Sequence, residues 1–144
     1  RGVAVLGAAA RMHPPWLTQA LDVAADSTHP INERLTALRQ AFFAPGSDAT
    51  VWLEGWHPAH RDLYRRAAAT PPRDAWWPVS HAPVLDLQGD SDPWRPATTR
   101  DELKAVLGDK VTVEVIRGAS HALVVEQPQA VADAMVAWAR GLPE

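Results

Sequence analysis

The chain has 144 residues, a formal charge of −3 and no cysteine. That length suits one modest domain with a real core. The charge balance and the lack of a Lys/Arg cluster speak against nucleic acid as a partner. Disulfides and a cysteine nucleophile are excluded. No run of 18 apolar residues is present, so no membrane-spanning helix is expected. The expected compartment is the cytoplasm.

Gly2–Ala10 is a short apolar run ending in small residues, and it reads as a buried strand leading into a tight loop. A buried parallel strand needs neighbours on both sides, and this one shows no charge or proline guarding an edge after Arg1. A preceding segment is therefore expected beside it, and an edge of this kind also gives the chain a route to homo-oligomers. His13, in the loop Arg11–Pro15, would sit at the carboxyl end of that strand and is a candidate substrate contact.

Two helices are expected at Trp16–Ala25 and Ile31–Phe43. In the second, Ile31, Leu35, Leu38, Phe42 and Phe43 fall near a 3.6-residue period, with Thr28 or Asn32 as its cap. Val51–Ala69 reads as a third helical region broken near Pro58. His57 and His60 have the spacing of a weak metal pair, but Pro58 spoils the helical geometry and no third ligand is placed to help. Metal is therefore not expected, and neither is any other cofactor. Trp52, Trp56, Trp76, Trp77 and Trp94 cluster in or beside this helical middle. Large rings suit an apolar pocket with a few polar handles, and Trp77 and Trp94 are the candidate substrate contacts among them.

Val84, Leu85 and Leu87 lie between Pro83 and Gly89 and read as a buried strand. Asp90 and Asp92 crowd in where it ends, the place where open α/β sheets collect their sites. Asp86, inside the strand, is expected at a helix end or the sheet edge. Thr99–Leu107 reads as a short crossover helix with Leu103, Val106 and Leu107 on one face. Val111–Ile116 is a β-branched strand. Gly118, Ala119, Ser120 and His121 follow it. Gln127–Arg140 is the last helix, with Val131, Met135 and Trp138 buried and Pro128 in its first turn.

Two spacings then stand out: Gly89, Asp92 and Pro96 in the form G-x-x-D-x-x-x-P, and Gly118, His121, Glu126 and Pro128 in the form G-x-x-H-x-x-x-x-E-x-P. Together and in this order they resemble the C-terminal part of the α/β-hydrolase superfamily. The resemblance implies an α/β fold class. The chain would be the C-terminal half of an α/β-hydrolase sheet, three parallel strands with flanking helices, plus a helical cap insertion. Residues 1–13 and 81–144 would form the core and residues 14–80 the cap. It implies Asp92 as the triad acid and His121 as the base, with Asp90 the competitor for the acid.

None of Ser27, Ser47, Ser80, Ser91 and Ser120 lies in G-x-S-x-G, the elbow motif that carries a serine nucleophile. The nucleophile, Ser or Asp, would then belong to an N-terminal segment, either a separate chain or one removed. The expected activity is hydrolysis of an ester or related bond in a small, apolar substrate. The alternative is a non-catalytic binding or scaffold domain that keeps the hydrolase pattern.

Overall fold

The computed structural model describes residues 1–72, 75 and 80–142. Its elements are β1 (Val3–Leu6), α1 (Pro15–Ala25), α2 (Ile31–Ala41), α3 (Arg61–Ala69), β2 (Val84–Gly89), α4 (Glu102–Leu107), β3 (Val111–Ile116), α5 (Leu123–Glu126) and α6 (Pro128–Arg140). The three strands form one parallel sheet in the order β1-β2-β3. β2 is the middle strand, and all six of its residues are buried. A strand covered on both faces needs a nearly continuous apolar sequence, and Val84, Leu85 and Leu87 provide most of it.

The two faces of β2 pack against different layers. Leu85 and Leu87 face α6, meeting Val131 and Ala134 together with Ile116, Ala119 and Leu123. Val84 faces α4, meeting Leu103 and Val111. Leu85 and Leu87 are completely covered, and each such leucine contributes roughly 1.5–3 kcal/mol of burial free energy.

The third layer is helical. Leu17, Ala20 and Ala24 of α1 pack against Ala37, Leu38 and Ala41 of α2. Phe42, Phe43 and Ala49 extend this cluster, and Trp94 and Ala122 join it from the loops that follow β2 and β3. The helical layer therefore rests on the carboxyl ends of the strands, where acid and histidine lie.

Several expected boundaries shift for identifiable reasons. The first strand stops at Leu6, because Gly7 takes a positive φ of 60° and turns the chain. α2 ends at Ala41, and Phe42 and Phe43 follow it as buried residues. Its cap is Pro30, with no side-chain hydrogen bond. Thr28 is occupied elsewhere, donating from N (2.9 Å) and Oγ1 (2.7 Å) to Asp26 Oδ1. Ile31 is 63% exposed because the buried face runs through Arg34, Ala37 and Leu38.

The third helical region is a 3₁₀ turn at Ala49–Trp52, a second at Pro58–His60, and α3. The crossover helix starts at Glu102 after a 3₁₀ turn at Ala97–Thr99, and Val106 points to solvent. The last helix begins at Pro128, one residue later than expected, and a separate turn of helix, α5, precedes it, with Gln127 at a φ/ψ of −136°/57° between the two. Met135 lies on the open side of α6, while Trp138 packs against the core.

Candidate functional site

Two loops meet above the sheet. The loop after β2 carries Asp92 and the loop after β3 carries His121. Their approach is set by the backbone: Asp90 N donates to Ile116 O (3.0 Å) and Ser91 N to Ala119 O (3.0 Å). The Ser91 hydroxyl adds a second bond to Ala119 O at 3.0 Å. Asp90 closes the clasp by accepting Gly118 N–H on Oδ2 at 3.0 Å. This places Asp90 between the loops, with Oδ2 bonded to the backbone of the histidine loop.

Asp92 Oδ2 lies 3.0 Å from His121 Nδ1. A carboxylate can only accept, so in this bond Nδ1 is the donor, and in a neutral imidazole that arrangement leaves the lone pair on Nε2. The Asp92 side chain is fully buried, and its Oδ1 accepts Trp94 N–H at 2.8 Å. Among the described residues, nothing hydrogen-bonds to His121 Nε2, and the His121 side chain is 21% exposed. Phe42 and Trp94 pack against the imidazole, with ring centroids 5.7 and 5.4 Å away and 5.5 Å from each other.

Three further contacts fix the histidine loop. Glu126 accepts Ser120 N–H on Oε2 and Ala44 N–H on Oε1, both at 2.6 Å. Ala122 N donates to Phe42 O at 2.9 Å. Gly7 approaches His121 so closely that an added Cβ would lie 2.8 Å from His121 O. The helical layer, the turn after β1 and the histidine loop thus share one contact zone.

His13 is the third ring in the row, 4.9 Å from Trp94, with Nε2 3.5 Å from Thr18 Oγ1. Trp94 is 6% exposed, donates Nε1–H to Ala41 O (2.7 Å) and accepts Ala10 N–H on its carbonyl (2.7 Å). The structure thus gathers Asp92, His121, Trp94 and His13. Trp77 lies outside the described residues. Ser120 is buried and its hydroxyl turns to Ser91 O at 3.4 Å, away from the imidazole. The rings of His57 and His60 are 6.2 Å apart. Among the described residues, no group of three or more His, Asp or Glu is placed to hold a metal. No described helix is long and apolar enough to cross a membrane.

Sequence reasoning missed a second polar cluster behind the acid loop. Asp86 is fully buried on the middle strand, away from the sheet edge, on the side that leads through Arg95 to Glu102 at the start of α4. Its Oδ2 accepts Arg95 Nη2–H at 2.8 Å and Gln88 Nε2–H at 3.0 Å. Arg95 is itself 0% exposed and reaches Glu102 with Nη1 at 3.3 Å. An arginine between a tryptophan and a proline carries no periodic signal, so only the pairing across the fold reveals it.

Burial pushes the Asp86 carboxyl above its ordinary value of 3.8, while Arg95 and Gln88 pull it back. A carboxyl raised in the folded state stabilises the fold below 3.8, and that contribution disappears as pH climbs through the folded value. The stability of the protein relative to its Asp86→Asn variant should therefore decline as pH rises from below 3.8 through the raised folded-state value. Urea titrations at a series of pH values measure it. A relative stability that grows with pH would mean that pairing with Arg95 outweighs burial.

No family model matches the chain, and no curated protein matches it either. Solved structures do. A bacterial membrane phospholipase A described as a virulence factor aligns with a TM-score of 0.64 at 18% identity, over 97% of this chain and 49% of that one. The carboxylesterase CesB from Bacillus subtilis aligns at 0.63 and 15%, over 99% and 52%. The 2-hydroxy-6-oxo-6-phenylhexa-2,4-dienoate hydrolase of Rhodococcus sp. strain RHA1 aligns at 0.57 and 21%, over 97% and 55%. The chain spans about half the length of each of these. A further match, at 0.64 over 100% of this chain, is an α/β-hydrolase from a deep-sea metagenome. At these identities what is shared is the backbone, and that backbone, a three-stranded parallel sheet with its flanking helices, is the C-terminal half of an α/β-hydrolase fold.

Proposed function

We propose that this chain supplies the acid and the base of a hydrolytic triad, with Asp92 as acid and His121 as base. The observation that carries the reading is the division of labour on the imidazole. Nδ1 is engaged by a buried carboxylate, and among the described residues nothing hydrogen-bonds to Nε2 of this partly exposed ring. A triad base needs both: one nitrogen oriented by an acid, the other facing the nucleophile.

In this reading a Ser or Asp nucleophile comes from an N-terminal segment that adds to the free edge of β1, along with the oxyanion donors. With a serine, Nε2 takes the hydroxyl proton as oxygen attacks the carbonyl carbon. Asp92 stabilises the imidazolium that forms, and Nε2 then returns the proton to the leaving group. Water repeats the sequence to release the acyl-enzyme. With an aspartate nucleophile, His121 acts in the second step, activating the water. The helices over the strand ends serve as a cap, and the aromatic row of His13, Trp94 and Phe42 favours a small apolar ester or a related bond. The mechanism asks nothing of a cofactor.

Native mass spectrometry with a denaturing run beside it tests this, followed by labelling with a fluorophosphonate. A second polypeptide, or a longer parent chain, should carry the label on a serine. An enzyme that hydrolyses p-nitrophenyl esters without taking the label would point to an aspartate nucleophile. A protein that neither labels nor hydrolyses would overturn the triad and favour a binding domain.

A further inference from the structure

The acid loop is tied to the body of the fold in two directions. Trp94 ties it to the helical layer at Ala41 and to the turn after β1 at Ala10. Arg95 ties it to the sheet. Its guanidinium reaches back to Asp86, inside the strand that leads into the loop, and sideways to Glu102 at the start of α4. Glu102 Oε2 also takes Arg11 N–H at 2.8 Å, so the turn after β1 is gathered into the same cluster. Between these anchors, Arg95 N donates to Asp92 O at 3.2 Å and Trp94 N to Asp92 Oδ1 at 2.8 Å. The acid carboxylate is therefore held by a short turn whose far end is a buried guanidinium.

We propose that Arg95 is a positioning residue, which fixes the angle at which Asp92 meets His121 by pinning the acid loop to β2 and α4. The inference rests on the reading of Asp92 and His121 as acid and base. It adds a residue that touches neither substrate nor imidazole. Arg95 is needed as a fork: one arm grips the strand and the other grips the helix, a geometry that a lysine's single ammonium does not reproduce. A buried charge is a costly way to stabilise a core, since an apolar pair of similar volume does as well or better. What the pair does add is a fixed direction for the turn that holds Asp92.

The flanking residues make a clean test available. On β2, Asp86 lies between Val5 of β1 and Val113 of β3, so a leucine there meets apolar neighbours. Arg95→Met alone leaves Asp86 buried without its partner and should lower the melting temperature by about 10 °C. The double variant Asp86→Leu, Arg95→Met removes both charges and should regain the melting temperature.

The readout is the His121 Nδ1–H proton resonance of the ¹⁵N-histidine-labelled protein, assigned with His121→Gln and with Asp92→Asn as the control that loses it. The wild type should show a downfield, exchange-protected signal. Arg95→Met should lose it, and the double variant should remain without it despite its restored stability. A double variant that recovers the signal along with its stability would show the pair to be structural only. A signal that persists in Arg95→Met would overturn the assignment, and so would a double variant that stays destabilised, since the pair would then be a determinant of the fold. A wild type with no such signal would sink the Asp92–His121 pairing itself, and the positioning role with it.

Discussion

On the reading proposed for His121 as triad base, replacing it by Ala in the protein joined to its nucleophile-bearing segment should lower kcat by about 10⁴- to 10⁶-fold, the range found when such a base is removed. The fold should survive. The imidazole is partly exposed, and its hydrogen bond among the described residues is to Asp92. The loop that carries it is held by backbone and by Glu126: Ser120 N–H to Glu126, Ala122 N–H to Phe42 O, and Ser91 to Ala119 O. None of these bonds uses the His121 side chain. Far-UV circular dichroism and the native mass should therefore match the wild type while turnover disappears. KM for a p-nitrophenyl ester should change far less than kcat, because the base acts on the nucleophile's proton and not on substrate binding. Turnover within about tenfold of wild type would remove His121 from the chemistry.

The part of this site that could be read from sequence is the part governed by strand ends. Val84–Leu87 is short and mostly apolar between Pro83 and Gly89, and Val111–Ile116 is a short β-branched run that leads into Gly118. Loops that leave the carboxyl ends of parallel strands gather at one edge of an α/β sheet by topology alone. Topology alone brings Asp90, Asp92 and His121 to that edge; the pairing of Asp92 with His121, and the choice of Asp92 over Asp90, comes from the resemblance to α/β-hydrolases.

The features that stayed hidden depend on contacts between segments far apart in the chain. Glu126 reaches Ala44 across 82 positions, and no local pattern records such a bond. Arg95 and Asp86 lie close in sequence, yet their pairing depends on a turn that folds the loop back along its own strand. Helix boundaries depart from the periodic pattern where propensity competes with tertiary packing. Phe42 and Phe43 continue the apolar period of α2 but leave the helix, because Phe42 is drawn to the His121 loop through its carbonyl and its ring. Ile31 fits the same period and remains in solvent, because the buried stripe is set by Leu38 and by Arg34, whose Nε donates to Ala24 O at 2.9 Å.

Gly89→Ala should be among the most damaging single substitutions in the chain. Gly89 ends β2, and its backbone lies directly under the histidine loop. An added Cβ would press directly on Ser120 O and sit 2.6 Å from Ala119 O and 2.7 Å from Ser120 C. All three are backbone atoms, so no rotamer change can clear the clash. The conformation of Gly89 is not the obstacle, since its φ lies outside the left-handed region; the requirement is space alone. Relief means moving one loop away from the other, and the bonds from Asp90 N to Ile116 O and from Ser91 N to Ala119 O resist that motion. The expected cost is about 3–4 kcal/mol, at the upper end of overpacking effects. In a domain of this size that corresponds to a fall in melting temperature of about 10 °C. Gly46 makes the useful contrast: its φ is +89° but nothing lies within 4 Å of an added Cβ, so Gly46→Ala should cost only about 1 kcal/mol of backbone strain. Separating the loops also separates Asp92 from His121, so Gly89→Ala should lose activity below its melting temperature, where the rest of the sheet remains folded. Thermal melts of the two variants beside the wild type decide the matter. A Gly89→Ala protein that melts with Gly46→Ala would mean that the end of β2 and the histidine loop leave room for a methyl group, and the close approach that brings acid to base would have to be redrawn.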